Sequence, residues 1–178
     1  MGDPKKTRKK YTGPNHPWQK DRIESEKIIV MEYGLRRKNE LWKMSSLLSN
    51  FLNRAKNIIA RRDVQSDVEK KQLLDKLGKL GLLKGESRVE DVLGIKLKDI
   101  MERRLQTVLV RKSMARSMLQ SRQFITHQYV AVGPRKVTSP SYLVSPSEEN
   151  SIKLVKEIKL TLPPTKEQKQ EAKAEVKT

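Results

Sequence analysis

Residues 103–147 read RRLQTVLVRKSMARSMLQSRQFITHQYVAVGPRKVTSPSYLVSPS and contain no aspartate or glutamate. The same stretch holds eight cationic side chains, namely Arg103, Arg104, Arg111, Lys112, Arg116, Arg122, Arg135 and Lys136. In a chain of 178 residues that is 34% charged, this acid-free segment indicates a surface that faces an anion. A polyphosphate is the partner that such a pattern favours.

The apolar spacing around this stretch predicts two helices followed by short strands. Leu97 to about Lys112 fits one helix, which can be bent, and Ser113 is placed to cap a second one. The buried side of this second helix is predicted to hold Ala115, Met118, Leu119 and Ile125. At Val130 and Val132 the apolar residues begin to alternate at every second position, as in a strand. This change predicts a hairpin with Arg135 and Lys136 at its tip. Tyr142-Leu-Val144 follows as a further strand, so residues 97–150 are expected to form a small basic module.

The first 20 residues predict an extended basic arm. Its cations come early, at Lys5, Lys6, Arg8, Lys9 and Lys10. Glycine and prolines between Tyr11 and Trp18 oppose regular structure. A disordered solubilising tail is the alternative, and the two aromatic residues favour an arm that docks on a partner.

Residues 21–96 predict a helical lobe. One helical pattern runs from Asp21 to Tyr33 and stops at Gly34, and another starts at Asn39 as its N-cap and reaches about Arg62. The apolar face of this second helix is predicted at Leu41, Leu48, Leu52, Ala55 and Ile59, and its basic face includes Arg54, Arg61 and Arg62. A third helix follows Ser66 and ends at Gly81. The whole chain is therefore assigned to the α+β class: an arm, a helical bundle, and a module of two helices and a β-hairpin sheet, with a disordered charged tail over residues 151–178.

Composition narrows the possible functions. The chain has no cysteine and only two histidines, so we expect no metal, and no motif indicates a cofactor or a small-molecule substrate. The longest aliphatic run, Ile28 to Met31, is too short for a membrane span, and no apolar segment follows the basic N-terminus as in a signal peptide. We therefore expect a cytoplasmic protein without a membrane partner. Its formal net charge of +18 favours nucleic acid as the partner.

Several motifs resemble one known family, the S-four family of small-subunit ribosomal proteins in its archaeal form. In the N-terminal half the resemblance rests on Met1-Gly-Asp-Pro-Lys-Lys6, His16-Pro-Trp18, Tyr33-Gly-Leu35, Glu40-Leu-Trp-Lys43 and Leu77 to Leu83. It is strongest further on, at Glu102-Arg-Arg-Leu-Gln-Thr107, Ala115, Arg122-Gln123, Ile125, His127, Val137-Thr-Ser-Pro140 and Tyr142-Leu-Val144.

The resemblance implies a structural ribosomal protein rather than an enzyme. Such a protein binds small-subunit rRNA at a helix junction of the 5′ domain, nucleates assembly of the subunit body, and influences translational accuracy beside neighbouring ribosomal proteins, where messenger RNA enters. By match to the family's RNA-binding module, the expected contacts are Arg103, Arg104, Arg111, Lys112, Arg116, Arg122 and Gln123, with His127, Arg135 and Lys136 next. The arm cations and Arg54, Arg61 and Arg62 complete the expected set.

The chain departs from the family pattern at two turns. Ser113 and Gln128 stand where the family commonly has glycine, which leaves the turn geometry at both positions open.

Two other classes of protein would also explain the charge. An RNA-modifying enzyme with a similar module would need an aspartate after Arg104-Leu105, where this chain has Gln106, and a general DNA-binding or chromatin protein would not need paired arginine-rich helices.

Overall fold

The computed structural model describes residues 2, 9, 11–61, 63–83 and 87–155. Three longer helices come first: α1 (Lys20–Glu32), α2 (Lys38–Ala60) and α3 (Val64–Lys79). A 3-10 helix (Val89–Gly94) leads to three short helices, α4 (Leu97–Glu102), α5 (Leu105–Arg111) and α6 (Met118–Thr126). The described part ends with β1 (Val130–Val132), β2 (Arg135–Lys136), α7 (Pro146–Glu149) and β3 (Ile152–Leu154). This order of elements confirms the predicted α+β class.

The apolar residues form two separate cores. The first runs from Tyr33 to Met101 and joins α2, α3, the 3-10 helix and α4. The second runs from Leu105 to Ile152 and joins α5, α6 and the strands. We call the first unit the N-terminal lobe and the second the C-terminal module. The prediction had placed α4 in the module, but its Ile100 and Met101 are fully buried in the first core.

Two helix starts in the N-terminal lobe differ from the prediction. Helix α2 begins at Lys38 after an extended Arg37, so Asn39 is not its N-cap. Helix α3 begins at Val64, and Ser66 lies inside its first turn, where the hydroxyl donates to the Asp63 carbonyl over 2.6 Å. A serine that bonds backward to a carbonyl cannot cap the N–H groups ahead of it, so the predicted start after Ser66 is wrong.

The buried face of α2 is also rotated from the predicted one. Met44, Phe51 and Ile58 are buried beside Leu41 and Ala55, whereas Ile59 is 43% exposed. Three- and four-residue spacing fits both Ile58 and Ile59, and the packing of α3 and the 3-10 helix against α2 decides between them.

The predicted helix from Leu97 to Lys112 is broken at Arg103 and Arg104. Here the backbone pairs with a distant segment, since the Leu105 N–H donates to the Tyr142 carbonyl (2.7 Å) and the Val144 N–H to the Arg103 carbonyl (2.9 Å). Arg104 and Leu143 thereby form an isolated antiparallel bridge, so Tyr142-Leu-Val144 does not add a strand to the sheet. Backbone pairing across the chain, which local periodicity does not encode, ends α4 and starts α5.

Helix α6 begins later than predicted. Its N-cap is Ser117, whose hydroxyl accepts from the Gln120 N–H over 3.2 Å. Ser113 is four residues earlier and has a φ of +57°, so it forms the turn after α5 and does not cap α6. The predicted burial of Leu119 is also wrong, because this side chain is 69% exposed.

The three strands form one antiparallel sheet in the order β2-β1-β3. Val132 pairs with Arg135, so Gly133 and Pro134 make the turn, and Arg135 and Lys136 form β2 itself instead of the hairpin tip. The third strand is Ile152–Leu154, which pairs with all three residues of β1. The predicted disordered tail therefore starts too early at residue 151, and its part from residue 156 on lies outside the described residues.

Candidate nucleic-acid interface

The exposed side of α6 and the residues at its two ends include three of the predicted contact residues. Arg116, Gln123 and His127 are all exposed, and Gln120 lies between them at helical spacing. The Gln120 side-chain carbonyl accepts from the Arg116 N–H over 2.9 Å, which extends the ordered turn to Arg116. The His127 ring stacks beside Tyr129, with 6.1 Å between the ring centroids. Donor groups therefore lie along α6 and at both of its ends.

The outer face of the sheet adds a row of cations. Ala131 on β1 pairs with Lys136 on β2 and with Lys153 on β3, and directly opposed residues share a face. Both lysines are exposed. Arg135 is exposed as well, but it pairs with the buried Val132 and therefore lies on the opposite face of the edge strand β2. Lys153 was missed by the sequence analysis because it was placed in the tail. The alternation of Ile152, Lys153 and Leu154 was the signal that could have identified it.

Arg103 is bound within the fold. Its Nε and Nη2 atoms donate to the Val144 carbonyl oxygen over 3.2 and 2.8 Å, and its Nη1 donates to the Glu149 carboxylate over 3.0 Å. Arg111 donates to the other oxygen of the same carboxylate over 2.9 Å, and the Lys112 ammonium donates to the Glu149 backbone carbonyl. Burial would raise the pKa of Glu149, but Arg103 and Arg111 outweigh it and lower this pKa. Three predicted RNA contacts, Arg103, Arg111 and Lys112, thus bind Glu149 at the end of α7.

Arg104 and Arg122 both bind one carboxylate of the N-terminal lobe, that of Glu40. Glu40, in the first turn of α2, accepts from Arg104 Nη2 over 2.8 Å and from both terminal nitrogens of Arg122 over 3.2 and 2.8 Å. Burial would raise the pKa of Glu40, yet the hydrogen bonds from Arg122 and Arg104 lower it overall. Burial also lowers the pKa of Arg104, which the contact with Glu40 partly offsets.

The burial of Arg104 corrects one of the expected contacts. Its side chain is only 1% exposed and cannot reach an RNA surface in this conformation. The prediction failed because Glu40 is 64 residues away in the sequence, and nothing local indicates that the two will pair. We define Glu40, Arg104 and Arg122 as the interlobe clamp.

Gln106 is a second buried link between the two units, and the sequence analysis did not identify it as such. Its side-chain amide donates to the Met118 carbonyl over 2.8 Å and approaches the Gly34 and Tyr33 carbonyls at 3.3 and 3.4 Å. Gly34 has a φ of +55°, and a Cβ there would lie 2.7 Å from the Met118 Cβ. The end of α1 and the start of α6 therefore approach closely only because residue 34 is glycine.

The basic residues of the N-terminal lobe lie apart from these contacts. Arg54 and Arg61 line an open cavity of about 550 Å³ between α2 and α3, together with Lys76 and Gln72. Lys9 is exposed on the described part of the arm. The other predicted contacts here, Lys5, Lys6, Arg8, Lys10 and Arg62, lie outside the described residues.

Two further properties concern the described ranges only. No three His, Asp or Glu side chains gather there in a way that could hold a metal ion. Within the same ranges, none of the helices has the length and apolar character that a bilayer crossing requires.

Comparison with known protein families gives the class of the C-terminal module. The S4 domain matches residues 103–150, which span α5, α6, the hairpin and α7. The module is thus an S4 domain, here completed by β3 just beyond the matched range.

Similar proteins identify the family of the whole chain. The small ribosomal subunit protein uS4 of Metallosphaera sedula is 46% identical over 153 residues, which are 85% of this chain and 85% of that protein. The uS4 proteins of Saccharolobus solfataricus and Sulfurisphaera tokodaii are 45% and 40% identical over 85% of this chain, and the matched part covers 84% and 86% of their lengths. The chain belongs to the uS4 family of small-subunit ribosomal proteins, in its archaeal form.

Proposed function

We propose that this protein is a structural, non-catalytic component of the small ribosomal subunit in the cytoplasm and that it binds small-subunit rRNA directly. The primary RNA surface consists of Gln123 on α6, Arg116 just before this helix and His127 just after it, with Lys136 and Lys153 on the outer face of the sheet and Arg135 on its edge strand β2. One observation carries this proposal. Arg116, Arg135 and Lys136 are exposed and form no ion pair among the described residues, whereas the other five cations of the acid-free stretch are bonded within the fold.

Recognition at this surface is expected to depend on the RNA backbone and on its shape. Arginine forks bind two phosphate oxygens at once, and the deep groove of A-form RNA keeps base edges away from side chains. The helix and the sheet hold the donors in fixed positions, so they fit one particular arrangement of phosphates. A helix junction of the 5′ domain supplies such an arrangement.

The cations that are bonded within the fold and those that are exposed have different roles in this proposal. Arg103, Arg104 and Arg122 shape the surface because they fix α7, Tyr142-Leu-Val144 and the N-terminal lobe relative to α6. Arg111 is 45% exposed and Lys112 is half-buried, so both can add a contact at the edge of the surface. Arg54, Arg61 and Lys9 provide a second region for the same RNA, together with Lys5, Lys6, Arg8, Lys10 and Arg62 of the sequence.

The finer biological role follows from rigid binding at a junction. A protein that holds several rRNA helices in one arrangement would nucleate assembly of the subunit body. It would also contact neighbouring ribosomal proteins and influence translational accuracy near the path of messenger RNA. These roles are proposed on the resemblance to the family.

Binding across a salt series tests the proposed function. The chain is titrated with a labelled 5′-domain junction RNA and with a plain RNA duplex of equal length. We expect tighter junction binding that persists at a salt concentration where the duplex dissociates. Arg116→Ala should lower affinity for the junction by about 1–3 kcal/mol and reduce the salt dependence by roughly one phosphate contact.

Exposed Lys98 on α4 offers a matched control, because Lys98→Ala removes a cation outside the proposed surface. Equal affinities and equal salt slopes for both RNAs would show that charge alone drives binding, and the assignment of the surface would then be withdrawn.

A further inference from the structure

The two tryptophans of this chain have opposite environments. Trp42 on α2 is half-buried, and its indole N–H donates to the Glu26 carboxylate over 3.1 Å. Trp18, just before α1, is 90% exposed, the highest exposure among the large apolar side chains of the described ranges. Tryptophan has the largest apolar surface of any side chain, so leaving it in water is costly unless a partner covers it.

The backbone that carries Trp18 is held in place. Arg22 Nη2 donates to the carbonyl oxygens of Pro17 and His16 over 2.9 and 3.3 Å. Arg22 also pairs with Glu26, which receives the Trp42 N–H as well. The indole of Trp18 is thus displayed from an ordered segment.

The other end of this segment is fixed on α2. The ring of Tyr11 lies 6.0 Å from the ring of Trp42, and the Thr12 N–H donates to the Ser46 hydroxyl over 3.0 Å. Pro14 and Pro17 restrict the residues between these two attachments. A preorganised aromatic side chain loses little conformational entropy when it binds, so its contact area is available for affinity.

The surroundings of Trp18 indicate the kind of partner. A tryptophan that anchors a protein interface normally lies in an interface core that is depleted of charged residues. Apart from Pro17, the flanking residues here are polar or charged, with Asn15 and His16 before it and Gln19, Lys20 and Asp21 after it. Five cations between residues 5 and 10 precede it, so a polyanion is drawn to the same segment. A nucleobase fits this setting, because it offers a flat aromatic face attached to a phosphate.

We propose that Trp18 is a stacking platform for an unpaired base of ribosomal RNA. The inference rests on the proposed RNA-binding function and adds a contact of a different kind. The S4 domain binds backbone and shape, whereas Trp18 selects RNA that has an unpaired base within reach of the arm.

Intrinsic fluorescence provides the test, because the chain has only two tryptophans. The emission of Trp18 is the difference between the unmodified chain and the Trp18→Phe variant, which leaves Trp42 in place. Two RNAs are compared, a 5′-domain junction RNA and the same RNA with its unpaired nucleotides made abasic. We expect the intact junction to quench Trp18 and the abasic form to leave its emission unchanged.

Affinity is measured in parallel by the anisotropy of labelled junction RNA. Trp18→Ala should weaken binding about 5- to 150-fold, the loss typical of one base–aromatic stack, and should leave the salt slope unchanged because indole carries no charge. Trp18→Phe should retain most of the affinity. Ile28→Ala, which removes a 65% exposed apolar side chain from α1, is the control and should have no effect.

The two measurements separate the failure of the inference from the failure of the proposed function. Absence of junction-specific binding by anisotropy would overturn the proposed function itself. Tight binding with unchanged Trp18 emission would overturn only the stacking proposal. A change in Trp18 emission that requires other small-subunit proteins would also overturn it, and would assign Trp18 to a protein interface.

Discussion

At the scale of single residues, two backbone conformations stand out. Ser113 and Gln128 are the non-glycine residues with positive φ in the described ranges, at +57° and +63°. Both stand where the resembled family commonly has glycine, and the structure shows why glycine suits them. The left-handed region is disfavoured for residues with a Cβ atom, and glutamine has no special means to relieve it.

Replacing either residue with glycine should stabilise the protein. The left-handed conformation costs about 1–2 kcal/mol for a residue with a side chain, and the greater freedom of glycine in the unfolded chain cancels part of the gain. We therefore expect Ser113→Gly and Gln128→Gly each to raise the free energy of unfolding by about 0.5 kcal/mol. Urea unfolding measures this change.

Gly34→Ala serves as the opposite control, since it puts a Cβ at positive φ against Met118 and should destabilise the protein. A loss of stability in both glycine variants would mean that Ser113 and Gln128 make side-chain contacts that outweigh the backbone cost.

At the scale of elements, the central strand β1 depends on the last described segment. Ile152 on β3 is only 3% exposed and belongs to the second core, and the strand covers one edge of β1. The spacing of apolar residues predicted the hairpin that begins with β1. It did not predict β3, because a strand of three residues next to a Lys/Glu-rich tail resembles that tail in sequence.

Two truncations test the boundary of the module. A chain that ends at residue 150 should lose about 2 kcal/mol or more of stability, since burial of one isoleucine contributes about 1.5–3 kcal/mol before the lost strand pairing is counted. A chain that ends at residue 155 keeps β3 and should unfold at a higher urea concentration than the chain that ends at residue 150. Equal stability of the two truncated chains would show that β3 adds nothing to the module.

At the scale of the whole molecule, the interlobe clamp fixes the two basic regions relative to each other. Glu40 comes from the lobe, and Arg104 and Arg122 come from the module. Gly34 against Met118 and Gln106 forms a second junction, and Gly81 against Pro146 forms a third. Under the proposed function, these two basic regions would bind as one bivalent unit, which favours RNA that presents both sites at the matching distance.

The clamp should make stability dependent on pH in the acidic range. The pKa of Glu40 is lowered from its ordinary value of 4.5 in the folded protein. A carboxyl group with a lowered pKa stabilises the folded state at pH values above its ordinary pKa. This contribution is lost as the pH falls through the lowered pKa. Glu149 contributes in the same direction.

Glu40→Gln should therefore destabilise the protein at neutral pH and flatten this acid dependence. We expect a loss on the order of 3 kcal/mol, because Arg104 would keep a buried charge without its counter-ion. Urea unfolding at a series of pH values measures both effects. Glu24→Gln is the control: Glu24 is exposed on α1 and its pair with Lys20 should contribute less than about 1 kcal/mol. An acid dependence in Glu40→Gln as steep as in the unmodified chain would exclude Glu40 as its source.

The sequence by itself determined the features that depend on local chemistry. Gly34 ends α1 as predicted because the left-handed turn there favours glycine, and the change from helical to period-two spacing placed β1. The absence of acidic residues over residues 103–147 identified the charged module, and the motifs within it identified the family.

Only the tertiary structure decided which cations are available to a partner. Arg103, Arg104 and Arg122 look the same as Arg116 in the sequence, but carboxylates on distant segments bind the first three. The break between α4 and α5 and the inclusion of Lys153 in the basic face likewise depend on backbone pairing between segments far apart in the chain. A buried arginine requires a counter-charge, and which carboxylate meets it is set by how the two units pack.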